Sequence, residues 1–140
     1  RPQQLDRIPF QDLIAQVDYL SLHCPLTEDT RDLIDAEVFD AMKPSAFLIN
    51  CARGGIVNEQ ALVDALKRGK IAGAATDVLS VEPPKQGNVL IDALNNDEIQ
   101  NLIITPHSAW GSRDARQRIV DQMLENLKAF QQGTPIRQVN

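Results

Sequence analysis

With 140 residues, 43% of them hydrophobic, the chain has the length and composition of one globular domain with a core of its own. A formal net charge of -5 and a pI near 4.9, with the basic residues scattered, exclude the concentrated basic face that a nucleic acid or an anionic membrane would need. No apolar run approaches the roughly 18 residues of a membrane span, and the opening RPQQLDRIPF has no signal-peptide core, so the chain reads as soluble and cytoplasmic.

Pro9 opens a short predicted helix through Gln16, with Leu13, Ile14 and Val17 inward, and Asp18 to Leu22 reads as a strand. The strand must end at His23-Cys24-Pro25, because a proline cannot continue a central ladder. Thr27 is positioned to cap a helix from Glu28 to Ile34, and Asp35 a second one carrying Val38, Phe39 and Met42 on one side, stopped by Pro44. The apolar run Ala46 to Ile49 is short enough for a strand buried on both faces. Asn58 then caps Glu59 to Arg68, whose acidic start and Lys67-Arg68-Gly69 finish suit the helix dipole.

Ile71 to Val78 is rich in Ala and Gly, which predicts a strand whose backbone something approaches closely. From Leu79 to Asn101 the prolines, Gly87 and several Asn and Asp residues predict a long loop with one helical turn around Val89 to Leu94. Leu102 to Thr105 reads as a strand broken by Pro106. Ser112 caps the longest helix, Arg113 to Gln132, with Ile119, Val120, Met123, Leu124, Leu127 and Phe130 in one stripe. Alternation of this kind predicts an α/β fold, a Rossmann-like parallel sheet with right-handed crossovers and helices on both faces. Cys24 and Cys51 each close an apolar run and read as small buried residues in a reducing compartment. The start, without an initiator Met, reads as that of a piece of a longer protein.

Four predicted strands are followed by polar residues: His23, Arg53, Asp77 and His107. Parallel strands send all four to the carboxyl edge of the sheet, where ligands of open α/β folds bind. Glu82 comes after Asp77 on the same loop. Arginine, glutamate and histidine in one cleft are the parts needed for 2-keto acid chemistry: a planar grip on a carboxylate, a proton donor to the carbonyl oxygen, and a carboxylate to orient the imidazole. Read singly, His23 is structural, Trp110 is packing or a pocket wall, and Cys51 has no neighbouring base that would make it a nucleophile.

The blocks Asn50-Cys51-Ala52-Arg53-Gly54-Gly55, Thr76-Asp77-Val78 with Glu82-Pro83, and Thr105-Pro106-His107-Ser108-Ala109-Trp110-Gly111 resemble the signature segments of the D-isomer-specific 2-hydroxyacid dehydrogenases, and His23-Cys24-Pro25-Leu26 with Thr30 resembles a fourth. The runs Ser80 to Pro84 and His107 to Ser112 are most similar to its glycerate dehydrogenase, or hydroxypyruvate reductase, branch. The resemblance implies catalytic roles for Arg53 (substrate carboxylate and carbonyl), His107 (acid and base) and Glu82 (raising the histidine's pKa). It also implies cofactor contacts at Cys24, Cys51, Ala52, Arg53, Asp77, His107 and Ala109, with Asp77 on the nicotinamide carboxamide.

The implied cofactor is NAD, with NADP possible, the partner a small 2-keto or 2-hydroxy acid, the assembly a homodimer, and no metal is implied. The family's G-x-G-x-x-G turn does not occur in this sequence. The chain thus resembles the second half of the cofactor domain, residues 1–111, joined at 112–140 to a helix and tail that return to a substrate domain. The competing expectation is a non-catalytic NAD-sensing or dimerisation module of the same fold.

Overall fold

The computed structural model describes residues 7–139. They form α1 (Phe10–Ile14), β1 (Tyr19–Leu22), α2 (Ala36–Ala41), β2 (Phe47–Asn50), α3 (Glu59–Lys67), β3 (Gly73–Thr76), α4 (Val89–Asn95), β4 (Leu102–Ile104) and α5 (Arg113–Gln131). The chain divides into two compact units, the first ending at His107 and the second beginning at Ser108.

In the first unit all neighbouring strands are parallel, in the order β1-β2-β3-β4. Leu22 is in register with Asn50, Asn50 with Thr76, and Thr76 with Ile104, so the strands end in a single row. Helices α2, α3 and α4 begin where short side chains satisfy their first N–H groups. Asp35 accepts from the amide of Val38, Asn58 from Ala61 and Asn88 from Leu90. Leu20, Leu22, Leu48, Ala74 and Leu102 from the sheet join Ile34, Phe39, Ile56, Leu62 and Leu90 in one buried core.

Three expectations are corrected. The segment expected to be helical from Glu28 to Ile34 is a series of turns instead. The side chain of Thr30 accepts from the amide of Thr27 and donates to the carbonyl of Pro25. Asp32 adopts φ 50°, and Ile34 is drawn into a parallel bridge with Val57, so the local helical pattern loses to a long-range pairing.

Alternation predicts helices on both sheet faces, yet the burial of the strands alternates, with Tyr19, Ser21, Phe47 and Ile103 exposed opposite the buried set. Consecutive strands lie side by side, an order that with the general right-handed crossover rule places α2, α3 and α4 on the same face, where α3 packs against both α2 and α4. Within this unit the second face is bare apolar surface, with the Tyr19 and Phe47 rings stacked at 5.6 Å between centroids. The close approach expected along β3 is real: a Cβ on Gly73 would stand 2.9 Å from the Asn101 carbonyl oxygen and 3.0 Å from the Phe47 ring.

The third correction concerns the cysteines, since Cys51 is exposed and Cys24 only partly covered. Both lie just beyond strand ends; Cys24 packs against the edge of the core, while Cys51 belongs to the exposed crest.

The second unit contains α5, capped by the Ser112 side chain, which accepts from the amide of Ala115. Arg137 turns back onto the helix, donating to Glu125 and Asn126. Ile119, Val120, Met123, Leu124, Leu127 and Phe130 are all exposed along it. Among the described residues no helix is long and apolar enough to cross a membrane.

Candidate active site

The aligned strand ends release His23, Cys51, Asp77 and Thr105 side by side at the carboxyl edge. Short-range hydrogen bonding fixes the path of the chain beyond each of them. Asn50, only 2% exposed, accepts from the amide of Ala52 at 3.1 Å through Oδ1 and donates to the Arg53 carbonyl at 3.0 Å through Nδ2. This Asx turn folds the chain back at once and lifts Cys51, Ala52 and Arg53 into a crest. The guanidinium of Arg53 is exposed there, with Nη1 donating to the Ala52 carbonyl at 2.7 Å.

Gly54 then passes so close to the loop after β3 that a Cβ at this position would lie 1.8 Å from the Leu79 carbonyl oxygen and 2.6 Å from the Ser80 nitrogen. Two backbones therefore touch at Gly54, and only glycine fits. On the far side of that contact the Leu79 amide donates to Glu82 Oε1 at 2.7 Å. Glu82 Oε2 lies 2.6 Å from His107 Nδ1. The path from Arg53 to His107 is therefore a continuous series of direct contacts.

Burial pushes the Glu82 carboxyl up, but the hydrogen bonds from Leu79 and His107 and the charge of His107 outweigh it against the repulsion of Asp77. The outcome lies below the ordinary glutamate value. An ionised Glu82 can only accept, so the proton of this contact sits on His107 Nδ1. His107 itself has φ 51°, and its amide donates to the Thr105 carbonyl at 3.0 Å. Such a backbone is uncommon outside glycine and turns the ring back toward the loop of Glu82. Asp77 is buried, its amide donating to the Asn50 carbonyl and its Oδ1 accepting from Thr105 Oγ1 at 2.5 Å.

Cys24, Cys51, Ala52 and Arg53 share a cavity of about 600 Å³ with His23 and Leu26. Glu82 and His107 line a second one of about 330 Å³ with Leu79, Pro84, Thr105 and Pro106. The structure thus brings Glu82 and His107 into contact, while Arg53 lines the other cavity with Cys24, Cys51 and Ala52. Ala109 lies in the second unit, two positions beyond His107.

Sequence reasoning does not single out three members of this arrangement. Asn50 and Thr105 stand in the sequence as strand-end residues, and Gly54 as half of a glycine pair. An asparagine with two glycines four and five positions beyond it, directly after a buried strand, is a signal for a tight return and could mark Asn50 and Gly54. The Thr105–Asp77 bond joins residues 28 apart and has no local signature.

The model of the D-isomer specific 2-hydroxyacid dehydrogenase, NAD binding domain, matches residues 2–109. The chain belongs to the D-isomer-specific 2-hydroxyacid dehydrogenase family. It is 49% identical over 128 residues to a glycerate dehydrogenase of Methylorubrum extorquens, covering 91% of this chain and 40% of that protein. It is 39% identical over 133 residues to a hydroxypyruvate reductase of Blautia hydrogenotrophica, covering 95% of this chain and 39% of the relative. The chain therefore spans about two fifths of the length of these curated relatives. Its fold superposes with a TM-score of 0.80 and 34% identity on the NAD-complexed D-isomer-specific 2-hydroxyacid dehydrogenase of Lactobacillus delbrueckii ssp. bulgaricus, over 95% of this chain and 43% of that one. Within this family's NAD binding domain, the matched region contains the Arg53 crest, the Glu82 loop and His107.

Replacing Gly54 by Ala is expected to destabilise the chain by more than about 2 kcal/mol, because the methyl group meets backbone rather than a movable side chain. A urea unfolding midpoint equal to that of the parent would contradict the close approach. For Glu82 the folded value lies below the unfolded one, so the stability its contacts add is complete above the ordinary glutamate value of 4.5 and fades as pH falls through the lower folded value. The gap in melting temperature between the parent and Glu82→Gln should hold steady at higher pH and close in acid; a gap that widens on acidification would show that the carboxylate is not the stabilised form.

Proposed function

We propose that this chain, as part of a longer enzyme, supplies the carboxylate grip and the acid–base pair of a reductase that moves a hydride between NAD(P)H and a small 2-keto acid. Hydroxypyruvate and glyoxylate are the substrates that fit best, with D-glycerate and glycolate as the reduced products. The observation that carries the reading is the 2.6 Å contact of Glu82 with His107 at the carboxyl edge of a parallel sheet. The names of the glycerate dehydrogenase and hydroxypyruvate reductase relatives support the choice of substrate.

The residues at this edge suit the nicotinamide end of the cofactor. Cys24, Leu26, Cys51 and Ala52 offer a low wall of small and apolar groups against which a flat ring can lie, and the buried carboxylate of Asp77 is an acceptor for a carboxamide. The reduced nicotinamide, when bound, supplies the hydride that reaches the carbonyl carbon. Arg53 grips the substrate carboxylate with parallel N–H donors and polarises the neighbouring ketone. With Nδ1 of His107 donating to Glu82, proton transfer runs through Nε2: the protonated ring gives its proton to the carbonyl oxygen, and the neutral ring takes one from the hydroxyl in the reverse direction. Glu82 orients the ring and stabilises its charged form.

The assay is NADH oxidation with hydroxypyruvate by the full-length protein. Arg53→Ala should raise KM for the keto acid by roughly tenfold or more, and His107→Ala should lower kcat by about a hundredfold or more. Unchanged kinetics in both variants would remove the assignment. The exposed apolar stripe of α5 supports a homodimer as the working assembly. Sedimentation at high protein concentration should give twice the chain mass, and a monomer there would rule the dimer out.

A further inference from the structure

The loop that carries Glu82 is held at both ends by one side chain from another element. Glu59, the first residue of α3, accepts from the Ser80 amide at 2.8 Å through Oε1, and from Ser80 Oγ and Asn88 Nδ2, each at 2.8 Å, through Oε2. Ser80 lies two residues before Glu82 and Asn88 six residues after it. Between them the segment runs at the surface, with Val81 66% exposed and Lys85, Gln86 and Gly87 exposed too, and it closes short turns of its own, the Lys85 amide donating to the Pro83 carbonyl and the Gly87 amide to the Pro84 carbonyl. Asn88 is buried and also caps α4 through Oδ1, so its amide group joins Glu59 to the start of that helix. The Ser80 amide that donates to Glu59 belongs to the same Leu79–Ser80 peptide that Gly54 approaches closely. A single carboxylate therefore ties the Glu82 loop to the segment that leads from Arg53 into α3.

We infer that Glu59 is a positioning residue for proton transfer: it holds the Ser80–Asn88 loop so that the Glu82 carboxylate meets His107 Nδ1. The inference rests on the reading of Glu82 and His107 as the acid–base pair. As a bland alternative, Glu59 is an acid in the first turn of α3, favourable to the helix dipole and of no further consequence. The alternative accounts for a negative charge at this position, but not for three hydrogen bonds that all leave the helix.

Glu59→Gln keeps the size of the side chain but leaves it one carbonyl oxygen to accept what two carboxylate oxygens accepted. Asn88→Ser is the companion variant, since serine still caps α4 while the amide donor to Glu59 is gone. The first measurement is the proton resonance of His107 Nδ1–H in the full-length protein, shifted far downfield by its carboxylate acceptor and readable without turnover. The second is a double-variant cycle with Glu82→Gln in the NADH-linked assay.

The inference predicts that both variants weaken or abolish that resonance. Glu59→Gln should lower kcat by roughly tenfold or more, approaching the hundredfold that a misplacement of about one ångström costs. KM for the keto acid should stay within about twofold, because the Arg53 grip is not moved. In a Glu82→Gln background the same substitution should have almost no further effect on kcat.

Retention of the resonance in both variants, or an equal loss of kcat in both backgrounds, would make Glu59 a structural residue only and overturn the inference. If Glu82→Gln by itself leaves kcat unchanged, the acid–base reading fails, and the resonance still reports separately whether Glu59 places Glu82. If Glu59→Gln does not fold, Asn88→Ser carries both measurements.

Discussion

The common row in which the four parallel strands end is the constraint on which the rest of this structure depends. Because Leu22, Asn50, Thr76 and Ile104 are mutually in register, the next residue of every strand leaves the sheet at the same level. A slip of one residue in any pair would turn that strand's buried side chains to the open face and move its crest up or down the edge. The core guards against such slips through the alternation of Leu20, Leu22, Leu48 and Leu102 with less buried neighbours. Packing of the helix-covered face thus sets the level at which the crest residues leave the sheet.

The contacts above that row are local, short and mostly between backbone and side chain. Asn50 shapes the Arg53 crest, Gly54 lets the crest touch Leu79, and Leu79 donates to Glu82. Each link leaves its partner little freedom, which is how a surface-exposed pair can be held in one orientation without deep burial. The charges are graded as well. Asp77 is buried and bonded to Thr105; at Glu82 burial disfavours the ionised form, but the hydrogen bonds from Leu79 and His107 and the charge of His107 outweigh both burial and the repulsion of Asp77.

Much of this is legible in the sequence. Short apolar runs ending in polar crests mark the strands, and Asp35, Asn58 and Ser112, which can accept from free amides, mark three helix starts. The pairing of Glu82 with His107 comes from the parallel edge and from motifs in fixed order. The features that escape the sequence depend on partners distant in the chain. The segment from Glu28 looks helical because Thr27 and the acids after it favour a first turn, and the Thr30 side-chain bonds together with the pairing of Asp32 and Ile34 to the 55–58 segment override them. The one-sided placement of helices is a consequence of strand order, which alternation alone does not specify. The positive φ of His107 has no residue signature, since histidine tolerates that region without demanding it.

One consequence of the one-sided crossovers concerns assembly rather than chemistry. The Tyr19–Phe47 stack with Ile103 leaves a flat, uncharged plate on the first unit, made of strands whose alternating pattern elsewhere hides such residues. An apolar sheet face of that kind is a surface on which a further element or a second copy can settle, so the strands that build the core on one side present a docking surface on the other.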